Sequence, residues 1–144
     1  METLGVIGLI VILAIFAFVV LGLKYHLIWK GHKRCYTRIQ AGRASLSDEA
    51  FCNRVGLAPS VIGVVAVIRS KLAEQGRYGP LRIYPEDAFS LHFGLHYDDD
   101  VAMLVQEMKL INGYKGYSFP LEEVSSVADF IRVVLKLREP SIQG

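Results

Sequence analysis

Asp98, Asp99 and Asp100 stand in a row directly ahead of the apolar run Val101-Ala102-Met103-Leu104-Val105. Three carboxylates can ligate a cation, serve as acid and base in hydrolysis, or form the charged start of a helix. Ligation requires side chains that converge, and successive helical residues point ~100° apart. No Asp-x-Asp-x-Asp-Gly loop is present, and no second acid stands where a two-carboxylate hydrolase would need one. Free backbone N–H groups at a helix N-terminus do favour negative charge. The row therefore reads as the N-cap and first turn of an amphipathic helix. Exposed acids also steer basic partners, so Tyr97, Asp98, Asp99 and Asp100 are the candidate partner-binding residues.

The other chemistry-bearing residues point less far. Cys35 and Cys52 are the only cysteines. His32-x-x-Cys35 has the spacing of half a zinc site, but no second pair follows it. Acylation of Cys35 has no supporting motif. Cys52 lies in a helical stretch, where a buried thiol is the ordinary reading. His92 and His96 flank Gly94, which suggests a turn and makes both histidines loop residues. No nucleophile–base pair, phosphate-binding loop or dinucleotide glycine pattern occurs, so no catalytic, cofactor or metal residue is expected, and no enzyme.

The elements that position these residues begin with an apolar one. Residues 4–23 contain no charged side chain. About 20 apolar residues in a helix cross a hydrocarbon core. A cleaved leader would carry a basic start and a small-residue cleavage site, and here Glu2 precedes the run while Lys24 follows it. Residues 24–43 contain Lys24, Lys30, Lys33, Arg34, Arg38 and Arg43 and no acid. Cations beside a span stay on the cytoplasmic side, which predicts residues 1–3 outside and residues 24–144 in the cytoplasm. Lys24, Tyr25, Trp29, Lys30, Lys33 and Arg34 are the expected membrane-interface anchors. The patch reads as a topology signal rather than a site for a specific anionic lipid. Its place against the span also argues against nucleic acid.

Residues 24–44 read as a basic linker, continuing the helix for a turn or two, and residues 45–139 as a helical domain with a tail at 140–144. Ser47 with Asp48 and Glu49 predicts a helix start, and Gly56 its end. Pro59 opens a longer helix running to Gly76, although Val61 to Ile68 is β-branched enough for a buried strand. Residues 78–95, with Gly79-Pro80, Tyr84-Pro85 and Gly94, read as a long ordered loop. A helix from about Asp98 to Ile111 carries Val101, Leu104, Val105, Met108 and Ile111 on one face. Asn112-Gly113-Tyr114-Lys115-Gly116 ends it. Residues 120–123 suggest one turn. The last helix follows Ser125-Ser126, with Val127, Phe130, Ile131, Val134 and Leu137 on a common face and Pro140 as its stop. Tyr84, Phe89 and Phe93 join Tyr97 as aromatic candidates for partner contact, with core filling the better reading for the two phenylalanines.

Two stretches, "RIYPEDAFSLHFGLHYDDDVAMLVQEM" and "FPLEEVSSVADFIRVVL", resemble acyl carrier proteins in hydrophobic spacing and element order over about residues 61–137. The resemblance implies a small four-helix carrier-like bundle, so that the expected fold is mainly α, with the N-terminal transmembrane helix read from the apolar run followed by that bundle. The family carries its phosphopantetheine arm on the serine of Asp-Ser-Leu at the start of the second helix. Counted from Gly94, His96 falls on that aspartate and Tyr97 on that serine, and no serine or cysteine lies from Gly94 to Ile111. The chain is thus more similar to serine-lacking bacterial carrier-like proteins, which implies an inner-membrane protein without the carrier cofactor. The expected function is a non-enzymatic interaction module facing the bilayer and a protein partner. The alternative is a membrane-tethered acyl or aminoacyl carrier modified at a non-standard residue; Ser90 is the nearest hydroxyl.

Overall fold

The computed structural model describes residues 2–76, 78–114 and 119–138. It falls into two units, Met1–Tyr36 and Thr37–Gly144. The described residues are mainly helical, and no strand occurs among them.

The described residues of the first unit are all helical. α1 spans Glu2–Ala41, 40 residues, and its last turns belong to the second unit. It is the one described helix long and apolar enough to cross a membrane. Its side chains from Val6 to Leu23 are exposed. The expected linker over 24–44 is corrected, because the helix runs on to Ala41. A mid-helix glycine costs only ~1 kcal/mol, so Gly31 is carried within α1 and Gly42 lies just past its end.

The second unit begins at Thr37, ahead of the expected start at Ser45. α2 spans Asp48–Val55. Ser47 Oγ accepts the Ala50 N–H at 3.1 Å, and Gly56 closes the helix in the left-handed region at φ 75°. After a 3-10 turn at Pro59–Val61, α3 spans Ile62–Gly76, so the β-branched run is helix and not strand. Burial of Val64, Val65, Ile68 and Leu72 on its inner face outweighs their strand propensity. α3 packs against α2, the flanking turns and the two helices that follow it. Gly76 is required where it stands, because the Tyr78 ring occupies the place of a β-carbon.

The expected loop over 78–95 is partly helical. It holds a 3-10 turn at Pro80–Arg82 and α4, Phe89–Phe93, and His92 lies in α4 rather than in a loop. Phe89 and Phe93 are buried one turn apart, which gives so short a helix its reason. α5 spans Asp98–Met108 and stops short of Ile111. Lys109 takes a left-handed φ of 53° and its N–H bonds the Gln106 carbonyl. A 3-10 turn at Leu121–Glu123 precedes α6, Val127–Arg138. Val127, Phe130, Ile131 and Val134 are buried, whereas Leu137 is exposed. Lys115, Gly116, Pro140 and the tail at 140–144 lie outside the described residues.

The core is aromatic at one end. Phe130 stacks on Phe89 at 4.3 Å between centroids and meets Phe119 at 5.4 Å. Tyr78 meets Phe93 edge-on at 6.0 Å. At the other end Arg69 of α3 is fully buried. It donates to Asp48 Oδ1 at 2.5 Å, the Leu46 carbonyl at 2.8 Å and the Ile83 carbonyl at 3.0 Å. Its guanidinium also lies 4.8 Å from the centre of the Phe51 ring.

α6 starts with a reciprocal cap. Asp129 N–H donates to Ser126 Oγ at 3.2 Å, while Asp129 Oδ2 accepts the Ser126 N–H at 3.0 Å. The Ser125 hydroxyl, at 2.7 Å, is the main cause that lowers the Asp129 pKa below its ordinary 3.8, with burial opposing and Ser126 adding.

Two outcomes follow. Phe130→Ala should destabilise the protein by ~3–5 kcal/mol and Met103→Ala by no more than ~0.5 kcal/mol, read by chemical denaturation in detergent. The Asp129 carboxyl has a lower pKa folded than unfolded, so its contribution is present above pH ~4 and fades as pH falls through the depressed value. Asp129→Asn should therefore be less stable than the parent at neutral pH. The gap should narrow steadily below pH ~4.

Candidate functional site

The acidic row sits where the chain turns from α4 into α5. Gly94 leaves α4 in the left-handed region at φ 71°, and its N–H bonds the Ser90 carbonyl at 3.0 Å. Leu95 is buried and fastens the connection to the core. Tyr97 then adopts an extended φ of −118° and ψ of 140°, and its carbonyl accepts the Val101 N–H at 3.2 Å. Tyr97 is therefore the N-cap, and the three aspartates fill the first turn without a cap of their own. That corrects the expected placement of an aspartate at the N-cap.

All four candidate residues face solvent. Tyr97 is 70% exposed, and Asp98, Asp99 and Asp100 are exposed. None of the three carboxylates hydrogen-bonds or pairs with a cation among the described residues. Val101, Ala102, Leu104, Val105 and Met108 turn inward, which leaves Met103, Gln106 and Glu107 on the outer face with the acids. Met103 is 59% exposed. The surface is an acidic turn with two apolar side chains, Tyr97 and Met103.

The remaining sequence candidates are dispersed. Among the described residues no group of three or more His, Cys, Asp or Glu side chains could hold a metal ion. Cys35 is exposed on α1. Cys52 is buried, and burial with the nearby Asp48 pushes its thiol pKa up against the opposing pull of Arg69. Such a thiol is a poor nucleophile. Lys24, Tyr25, Trp29, Lys30 and Arg34 are exposed along α1, and Lys33 is half-buried.

The sequence reading missed a second charged cluster. Arg43 Nη1 donates to both Asp87 oxygens, at 2.6 and 2.9 Å, and the Tyr84 N–H donates to Asp87 Oδ2 at 2.7 Å. The Tyr84 ring lies 4.5 Å from the Arg43 guanidinium and 5.3 Å from that of Arg54. Arg54 also bonds Glu86 at 2.7 Å. Tyr-Pro-Glu-Asp was the available signal, but nothing in the order of residues pairs Asp87 with an arginine 44 positions away. The adjoining backbone is tied to α6, with the Val127 and Ala128 N–H groups bonding the Asp87 and Pro85 carbonyls at 2.9 Å. Asp87 is thus committed to holding the chain, and the three aspartates of α5 are not.

No family model, curated protein or solved structure matches the chain.

The two kinds of acid should separate in denaturation. Asp87→Ala strips a nearly buried carboxylate from Arg43 and should cost ~3 kcal/mol or more. Asp99→Asn removes only an exposed charge near a helix dipole and should cost ~0.5 kcal/mol.

Proposed function

We propose that this chain is a single-pass, membrane-anchored, non-enzymatic protein whose cytoplasmic head is a carrier-like helical module that docks a protein partner. The observation that carries the anchor is the uncovered apolar face of α1 from Val6 to Leu23. Apolar burial stabilises by ~25 cal/mol per Å², so a stretch this long has a strong drive out of water. The acid-free cationic stretch at residues 24–43 supports a cytoplasmic head.

The order α3, a connection that holds the short α4, α5, 3-10 turn, α6 supports the carrier likeness. At the position of the arm-bearing serine the head has Tyr97, whose phenol is unsuited to that transfer. The likeness is therefore to the carrier's shape and not to its chemistry. The acidic, partly apolar surface at Tyr97, Asp98, Asp99, Asp100 and Met103 then serves to receive a basic partner.

Alkaline extraction of membranes should leave the chain in the pellet until detergent is added. Protease outside intact cells should spare the head. Pulldown from detergent extracts should recover partners that Asp98→Asn/Asp99→Asn/Asp100→Asn loses, with recovery falling as salt rises. A chain found in the soluble fraction removes the anchor. A triple variant that keeps every partner at low and high salt removes the acidic docking surface. An intact mass raised by a phosphopantetheine arm would instead make the head a carrier.

A further inference from the structure

We propose that the stretch of α1 just beyond its apolar run is a binding face for anionic phospholipid headgroups, formed by Tyr25, Trp29, Lys30 and Lys33. The proposal rests on the anchored reading above and gives that anchor a lipid preference.

The helical continuation is what assembles the face. In a linker these residues would have no fixed relation. On a helix, Tyr25, Trp29 and Lys33 follow one another at intervals of four and form one stripe, with His26, Lys30 and Arg34 as the stripe beside it. Helical side chains lean toward the N-terminus of their helix, which here is the direction of the apolar run. Lys33 shows that lean directly. Its Nζ lies 5.4 Å from the centre of the Trp29 ring, one turn nearer the apolar run. That is within the range of a cation–π contact.

The reach fits a headgroup layer. From Leu23 the helix rises ~10 Å to Lys30 and ~15 Å to Lys33 at ~1.5 Å per residue. The polar layer on each side of the hydrocarbon is ~5–8 Å thick. Surface potential from anionic lipids extends about one screening length, ~8 Å, beyond it. Lys30, and Lys33 folded back on Trp29, fall inside that depth. Arg38 stands more than a further turn along the helix and falls outside it. Aromatic rings settle at the same interface, so Tyr25 and Trp29 hold the two lysines at phosphate level. A zwitterionic headgroup would set its own cation against theirs. The stretch from residue 24 to 43 holds no acid, so its own charge is of one sign. A second copy of this stripe is a poor occupant for the same reason, since it would bring like charges together.

The test uses the full chain. Flotation with phosphatidylcholine vesicles, with and without phosphatidylglycerol, first asks whether it is anchored. Native mass spectrometry then counts the lipids retained from an equimolar mixture of the two. We expect flotation with both vesicles and a roughly tenfold to thirtyfold preference for phosphatidylglycerol adducts, on the order of what two cations at a charged surface supply. Lys30→Gln/Lys33→Gln should lose most of the preference, leaving only what Lys24 and Arg34 supply, and Arg38→Gln should leave it unchanged. Flotation with equal retention of both lipids overturns the lipid face and leaves the anchor standing. Loss of the preference in Arg38→Gln overturns it as well, because the effect would be diffuse charge. Failure to float overturns the anchor and the lipid face together.

Discussion

One guanidinium ties two segments of the head to a single helix through three partners. Arg69 projects from α3 into the interior and bonds Asp48 at the start of α2, the Leu46 carbonyl ahead of it and the Ile83 carbonyl after the turn at Pro80–Arg82. A buried cation is costly unless it is paired and hydrogen-bonded, so the segments that supply its partners cannot drift. Once Ile83 is held, Tyr84 and Asp87 are set in register to meet Arg43. Once Asp87 is held, its carbonyl and that of Pro85 receive the first N–H groups of α6. The chain of constraint thus runs from α3 through the irregular segment to the last helix, where the Phe89–Phe130 stack closes it.

That order explains which acids are free to act on other molecules. Asp48, Asp87 and Asp129 are each bonded to a side chain or a backbone group of the head. Asp98, Asp99 and Asp100 emerge after Gly94 and Leu95 have already anchored the connection, and nothing in the described head answers them. An unanswered cluster beside exposed Tyr97 and Met103 is a surface on which a partner can gain both charge and apolar contact. The same contrast separates the basic residues. Arg69 and Arg43 hold the head together, whereas Lys24, Lys30 and Arg34 stay exposed along α1.

The amino-acid order by itself determined the local elements, because their causes are local. Ser47 and Gly56 bound α2 through bonds made within a few residues, and Ser126 with Asp129 starts α6 in the same way. An uninterrupted apolar run declares α1 from composition alone. At two helix ends the local signals misled. Gly31 was too weak a breaker to stop a helix that runs to Ala41, and Lys109 ended α5 before the apolar Ile111 could join its face. Only the tertiary structure decided that Arg69 is an interior residue, that Arg43 finds Asp87, and that His92 belongs to a helix. Those outcomes depend on groups far apart in sequence whose meeting follows from packing, and no periodicity within either stretch records the other.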